Sequence, residues 1–583
     1  MGYSKEQVRT KLKESYDRYY LVKKEHVANR LSHLEELATV LAEQQNIEKA
    51  NMLRQLRERE HQRSVARKIR YLQGKLYRSS TTMVTSYDSE GNLFDITDKI
   101  KVEQAIMQSN EAKFKQSHHR PFFQLPLKRE FGFKGLTSQT NRVLAGVYEC
   151  RDDLPIAEQL LLQALEMPQE IRNSGPQTMD ICLTSYKNFW RKAREKTSSY
   201  PSVISFSTMK AGATSELISR IEMNLTRIPL RSGYPPQRWR RCMDVMILKK
   251  SGVTTLDSLR TVCLFATDCN YAFKHIGRAM MHHAESKGAL APEQYGSRKR
   301  QRATDLATNK AITYDLIRQL KRPAALCSND AKSCYDLIGH AQASIAMQRM
   351  GVPRAAVDCL FTTLQTAIHR VRTGYGDSKE HYGGQTWLIP FHGIGQGNGA
   401  GPAIWAVVST PLLITLRKMG FGLNYITPIS NTLINFSGFA FVDDTDLLQL
   451  LQHNSSGEEV RHGLQEAVDC WESGLSAMAG AIVPKKTIWY LMDFSWNCGE
   501  WRYKSIAECP VELTAKDIEG NRQTLRRVEV DQAEETLGIY LAPSGSKEGQ
   551  ISKLLGKVQQ WNKHISAGRL TKLEIWTAVQ STI

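Results

Sequence analysis

The amino-acid sequence predicts a mixed α/β (α+β) fold preceded by a helical N-terminal region, on three observations. Val27, Leu31, Leu34, Ala38 and Leu41 recur every three or four positions, the period of one helix face. After Pro235-Pro236 the texture changes to short apolar runs, Asp244 to Leu248 and Leu259 to Phe265 among them, with basic residues in between. Beyond Ala324 a strand, a helix, a hairpin and a further helix follow one another.

Residues 1-78 read as one long basic helix, coiled-coil-like, whose Val27 to Leu41 stripe neither Pro nor Gly interrupts. Its end carries Arg54, Arg57, Arg59, Arg63, Arg67, Lys68, Arg70, Lys75 and Arg78 against only Glu58 and Glu60. Such a segment lies along a phosphate backbone or forms a solvated coiled-coil face. Residues 79-230 read as a mostly helical extension, with a turn at Ser89-Glu90-Gly91-Asn92 and breakers at Pro121 and Pro201. Ala324 to Ser328 is an apolar run ending in Asn329-Asp330, which suits a buried strand with carboxylates at its carboxyl end. A helix is expected from about Tyr335 to Met350, closed by Gly351 and Pro353. Ser456-Gly457-Glu458-Glu459 is a capping box, and Val460, Leu464, Val468, Trp471 and Leu475 supply the stripe of the helix it starts.

With 583 residues, 41% of them hydrophobic, the chain has material for several packed domains, which argues against global disorder. The formal net charge of +19 favours a polyanionic partner, nucleic acid first, because each neutralised phosphate releases counterions. The eleven cysteines form none of the close C-x-x-C pairs of a structural zinc or redox motif, so they read as reduced thiols of an intracellular protein, nuclear or cytoplasmic. Met1 to Arg9 has no apolar signal core, and Glu6 stands where a myristoylation signal needs Ser or Thr. The longest uncharged stretch, Gly393 to Leu416, begins glycine-rich and contains Pro402 and Pro411; it reads as a buried helix behind a loop rather than a membrane span.

The sharpest chemical signal is Phe439-Ala440-Phe441-Val442-Asp443-Asp444-Thr445-Asp446-Leu447-Leu448, an acidic cluster between apolar runs, as at a hairpin tip. Adjacent carboxylates repel, and a cation between them relieves the repulsion; an Asp-Asp pair can equally be an ordinary turn. Asp330-Ala331-Lys332-Ser333-Cys334-Tyr335-Asp336 adds a carboxylate at a second strand end. Two such strands side by side can hold two Mg²⁺ roughly 4 Å apart, the arrangement that nucleotidyl transfer requires. The plainer roles are a helix cap for Asp330 and a first-turn acid complementing the helix dipole for Asp336. Between the two acidic segments lies Gly393-Ile394-Gly395-Gln396-Gly397-Asn398-Gly399-Ala400-Gly401-Pro402, whose glycines let backbone approach a ligand and whose Gln can hydrogen-bond a base or sugar. It is not a phosphate-binding P-loop, since no Gly-Lys-Ser or Gly-Lys-Thr opens the helix.

In this order the motifs resemble the reverse transcriptase family, most closely the polymerases of non-LTR, LINE-like retrotransposons. The first palm motif of that family matches Asp330, Tyr335 and Asp336; its Gln-Gly motif matches Gln396, Gly397 and Pro402; its aromatic-x-Asp-Asp hairpin matches Phe441, Asp443 and Asp444. Weaker matches extend from about Pro235 to the C-terminus. Ile247-Leu248-Lys249-Lys250 and Leu259-Arg260 resemble segments that hold the incoming triphosphate, and Gln294-Tyr295-Gly296-Ser297-Arg298 resembles the fingers motif that follows. Pro484-Lys485-Lys486-Thr487 resembles the motif whose lysine protonates pyrophosphate, and Thr536-Leu537-Gly538 the primer grip. Lys249, Lys250 and Lys485 also fit solvated surface charges.

The resemblance implies a right-hand polymerase with fingers over 231-329, palm over 330-543 with fingers elements interleaved, and the start of a helical thumb over 544-583. It implies RNA-directed DNA synthesis with an RNA template, a DNA primer and dNTPs as partners, no membrane, and two Mg²⁺ (Mn²⁺ as a substitute) on Asp330, Asp443 and Asp444. Lys486 joins these acids as a catalytic residue, and Lys249, Arg260, Tyr335, Gln396 and Gly397 hold the nucleotide. Tyr335 would exclude a 2′-hydroxyl, and Leu537 and Gly538 would hold the primer. Asn-Gly-Ala-Gly stands between Gly397 and Pro402 where many LINE-like enzymes have Cys-Pro-Leu-Ser, and Val442 replaces a common Ala or Met, which touches the subfamily and not the acids. No endonuclease, RNase H or zinc-knuckle segment is evident, and the stop at Ser581-Thr582-Ile583 inside the expected thumb suggests a fragment or decayed copy of a mobile element. An RNA-directed RNA polymerase and an inactive, RNA-binding relic are the competing expectations.

Overall fold

The computed structural model describes residues 5–44, 46–58, 81–88, 90–202, 204–249, 252–332, 334–384, 390–427, 429–451, 455–568 and 571–582. It is mixed α/β, with sheets that combine parallel and antiparallel pairs. The N-terminal region is helical, but it is a helical hairpin and not one rod. The helix Lys5–Glu43 ends in a turn where the Asn46 N–H reaches back to the Leu41 C=O at 2.8 Å, and a second helix covers 47–58. Arg57 then folds back onto Glu35 at 2.8 Å, so this arginine has an acidic partner that chain order does not suggest. The basic run from Arg59 to Arg78 lies outside the described residues.

Strands β1 (Val84–Tyr87) and β2 (Leu93–Ile96) form a hairpin on the expected turn, and α-helices from Lys99–Lys113 to Glu216–Ser232 make up most of the described extension. One hydrophobic core runs across residue 230: Phe122, Phe131 and Trp190 belong to the same buried cluster as Trp239, Phe273, Ile394 and Trp405.

Two larger sheets position the site. The first joins β3 (Arg241–Leu248), β4 (Leu259–Leu264), β6 (Ile368–Thr373), β7 (Gly376–Asp377) and β8 (Tyr382–Gly383), with β3 and β6 parallel. The second is built on β5 (Ala324–Asp330). Short strands β9 (Leu423–Ile426) and β10 (Leu433–Phe436) pair beside it, then β11 (Gly438–Phe441) and β12 (Asp444–Leu450) form the expected hairpin. β5 lies between β12 and β13 (Ile488–Met492), antiparallel to both. Its residues Ala324 to Cys327 are fully buried, as a central strand covered on both faces requires.

The capping box at Ser456 forms as expected, with its hydroxyl accepting from the Glu459 N–H. It starts the helix Gly457–Ala477, and Val460, Leu464, Val468, Trp471 and Leu475 are all buried, each contributing about 1.5–3 kcal/mol of burial. Gly393 to Leu416 resolves into a loop and the buried helix Gly401–Lys418, which carries Pro411 inside it. No helix among the described residues is long and apolar enough to cross a membrane. The helix expected over Tyr335 to Met350 is two pieces, Cys334–Leu337 and His340–Arg349. The break follows from competition for backbone partners: the Leu337 C=O accepts from the Ser117 hydroxyl, the Ile338 C=O from the Gly393 N–H at 2.8 Å, and the Gly339 N–H donates to Met478. Near the C-terminus the helix Glu548–Ala567 has no buried residue, and the helix Lys572–Thr582 follows it.

Candidate active site

A strand that ends at the edge of a sheet delivers its last side chain to the space beyond that edge. β5 does this with Asp330, and the β11–β12 hairpin brings its tip to the same edge, with Asp444 directly opposite Asp330 in the register. Beyond the edge opens a cleft of about 1200 Å³ lined by Asp330, Tyr335, Asp443, Lys249, Arg260, Gln396, Gly397 and Lys486, eight of the expected site residues. Lys113, Lys332 and Lys485 line it too. Asp444 stands beside this lining, at the start of β12. Leu537 and Gly538 lie outside the cleft, in the left-handed turn between the strands Glu534–Thr536 and Ile539–Leu541, at φ of 51° and 89°. Lys250 and Ser333 fall outside the described residues.

The hairpin tip is held by groups from three other segments. Val442 sits at a positive φ of 59°, a strained conformation for a β-branched residue. The Gln294 side chain clamps it on both sides, accepting from the Val442 N–H at 3.0 Å and donating to its C=O at 3.4 Å. The Trp405 indole N–H donates to the same carbonyl. A Cβ on Gly296 would come within 2.4 Å of the Val442 nitrogen, so only glycine fits there. Below the tip, Asn329 donates to the Thr445 C=O at 2.7 Å and accepts from the Trp471 indole at 3.0 Å, locking β5 to β12 from the covered face.

Burial pushes the Asp443 carboxyl above the ordinary range, with Asp330 adding to the rise, while the Cys334 thiol hydrogen-bonds the carboxylate and works against it. Asp444 keeps an exposed edge, yet desolvation and the charges of Asp443 and Asp330 push it up to about 6. Clustered acids raise one another in this way when the ionised forms lack a cation. One is partly supplied by the protein: the exposed Lys486 ammonium reaches Asp330 at 2.6 Å. Asp446 is separate from this cluster. It pairs with Lys310 at 2.7 Å, buried, and Lys310 also donates to Thr536 at 3.0 Å, tying the hairpin to the turn at Leu537.

Asp336 does not act as a first-turn acid for a long helix. It is fully buried and pairs with Lys113 of the helix Lys99–Lys113 at 2.6 Å, while burial raises its carboxyl. Lys249 donates to the Asp257 C=O at 2.9 Å, and its ammonium is pushed down by desolvation and by Lys113 and Lys486, an environment that an anion would relieve. Arg260 lines the same cleft, and its charge works against the rise of the Asp443 carboxyl.

The glycine-rich loop crosses beneath the cleft, bonded on both flanks. Ile394 N–H donates to the Tyr335 C=O at 2.7 Å, and the Gln396 C=O accepts from Cys263 of β4 at 2.6 Å. Gly397, at φ 103°, has the Cys263 carbonyl 2.5 Å from where a Cβ would stand, so the approach requires glycine. Tyr335 packs its ring 3.5 Å from the position a Gly401 Cβ would take, at the start of the buried helix.

The donor set fits hard divalent cations: three carboxylates, two of them raised by burial and then by neighbouring acids, at the edge of a cleft with basic walls. Sequence reasoning missed Gln294 as the clamp, Lys113, Lys310 and the pairing of Trp471 with Asn329, all of which arise from contacts distant in the chain. No protein-family model matches the chain, and no curated protein matches its sequence.

Proposed function

We propose that this chain is an RNA-directed DNA polymerase of the non-LTR retrotransposon type, with the right-hand arrangement of fingers, palm and thumb. The observation that carries the proposal is the register of β5 against β12, which sets Asp330 opposite Asp444 with Asp443 at the adjoining tip, beside a cleft walled by Lys249 and Arg260. Asp330, Asp443 and Asp444 would hold Mg²⁺, which when bound supplies charge neutralisation and a polarised oxygen for in-line attack on a phosphate.

The protein's own groups do the rest. Lys249 and Arg260 neutralise the triphosphate as it enters and align it against the carboxylate edge. Lys486, exposed and within reach of Asp330, is the group that would protonate the departing pyrophosphate. Tyr335 sits on the cleft wall, its ring backed by Gly401, where it would crowd a ribose 2′-hydroxyl. Gln294 and Trp405 keep the Asp443 turn in its strained conformation, so the acid needs no rearrangement during turnover.

The test is primer extension on a poly(rA)/oligo(dT) template with Mg²⁺, supplying dTTP or UTP. Incorporation of dTTP that is lost in the Asp443→Asn, Asp444→Asn double variant is expected. Incorporation of UTP alone would transfer the chain to the RNA polymerases, and RNA binding without incorporation would make it a relic.

A further inference from the structure

A second set of ligand-type side chains lies away from the acidic edge, inside the other large sheet. Cys242 and Asp244 are two residues apart on β3 and therefore share a face. Asp244 is opposite Cys263 on β4, and Cys242 is opposite His369 on β6. The two thiol sulfurs, a carboxylate oxygen and an imidazole nitrogen all lie within 4.8 Å of one another, and the exposures of Cys242, Asp244, Cys263 and His369 are 0%, 0%, 1% and 6%. His369 Nδ1 is 3.1 Å from Asp244, and the Cys242 thiol approaches the same carboxylate at 3.7 Å. The rings of Phe114, Tyr382 and Phe391 pack around His369 at centroid distances of 5.7, 5.1 and 6.0 Å, keeping the cluster dry.

We propose that Cys242, Cys263, His369 and Asp244 form a structural site for zinc. Two thiolates, one imidazole and one carboxylate are a tetrahedral zinc set, soft enough to reject Mg²⁺ and Ca²⁺. Zinc bonds of about 2.0–2.3 Å place tetrahedral ligand atoms roughly 3.3–3.8 Å apart, so the cluster closes on an ion by a small contraction. Binding releases the two thiol protons and the proton that His369 Nδ1 shares with Asp244. Tyr382, whose hydroxyl donates to Asp244, is the outer partner that fixes the carboxylate's orientation. Without an ion, the same four groups are a buried ion pair among thiols, which desolvation makes costly.

The position gives the site a purpose. Cys263 is the residue whose N–H holds Gln396, and its sulfur stands 3.2 Å from where a Cβ of Gly395 would lie. The ion would therefore rivet three strands together directly under the glycine-rich loop, whether or not the chain polymerises nucleotides.

The experiment is metal analysis of the full chain, purified under reducing conditions from zinc-supplemented cells, followed by replacement with Co²⁺ and absorption spectroscopy. Expected are about one zinc per chain and the intense thiolate-to-cobalt band of a tetrahedral site. Cys242→Ser with Cys263→Ser should abolish the band, whereas Asp330→Asn with Asp443→Asn should leave it unchanged, which separates this site from the acidic edge. If the cysteine variant fails to fold, the spectrum of the unmutated chain decides alone. A folded chain that takes up no zinc and gives no thiolate band with stoichiometric cobalt overturns the proposal, as does one in which Cys242 and Cys263 are disulfide-bonded.

Discussion

Two places in the chain treat their carboxylates oppositely. At the end of β5 and the tip of the β11–β12 hairpin, Asp330, Asp443 and Asp444 crowd one another at an open edge, with the exposed Lys486 as a counter-charge. Inside the β3–β4–β6 sheet, Asp244 is sealed from water and already paired with His369, whose imidazole is raised to about 10, burial opposing the rise and Asp244 with Cys242 driving it. The first arrangement stores unfavourable charge that a ligand from outside can relieve. The second spends its charge on holding strands together. A side chain's chemistry is thus set less by its type than by whether its partner is permanent.

The comparison can be broken most decisively at the open edge. Asp443→Asn is expected to reduce dTTP incorporation to background in primer extension while the urea midpoint stays put or rises, because a repelling charge has gone. Undiminished incorporation would remove Asp443 from the chemistry. At the closed cluster the expectation reverses: in the metal-free chain Asp244→Ala leaves a buried imidazolium without its acid and should destabilise the fold by about 3–5 kcal/mol in urea unfolding. A change below about 1 kcal/mol would mean that His369 is neutral in the folded, metal-free protein.

Two smaller effects sharpen the contrast. Lys486→Ala removes the ammonium that competes for Asp330 and should tighten Mg²⁺ binding, read by calorimetry at low salt, by about 0.5–1 kcal/mol; the exposed lysine limits the effect. Weaker binding would show instead that Lys486 helps to build the site. Asp444→Asn should stabilise the Mg²⁺-free chain by up to about 1 kcal/mol after solvent screening, with a defined pH dependence. The folded carboxyl titrates near 6, above its unfolded value of 3.8, so its stabilising protonated form is lost as pH rises through 6. The gain should therefore be full above pH 6 and vanish below pH 4, and a pH-independent difference would contradict the assigned cause.

What could be read from the sequence was local. The β11–β12 hairpin, the strand Ala324–Asp330 and the helix behind the Ser456 capping box each carry their signal within a few residues, through alternation, caps and turn chemistry. The failures were places where distant segments compete for the same groups. The helix expected through Met350 breaks because Ser117, Gly393 and Met478 take backbone partners near Gly339. Asp336 looked like a helix-terminal acid because nothing nearby in the chain announces Lys113. The cysteines look unrelated for the same reason: spacing along the chain finds C-x-x-C loops, whereas Cys242 and Cys263 meet across antiparallel strands.

The glycine-rich loop is bonded to Tyr335 on one flank and to Cys263 on the other. Its two ends are therefore held at a set separation, and the number of residues between them is as constrained as their identity. A surface turn such as Asp88 to Asn92 can gain or lose a residue with little effect, because only its own hairpin must adjust. An insertion between Ile394 and Gln396 would instead have to move the acid-bearing sheet against the sheet that holds His369. Among descendants of this sequence, chain length in that loop should drift more slowly than its side chains do.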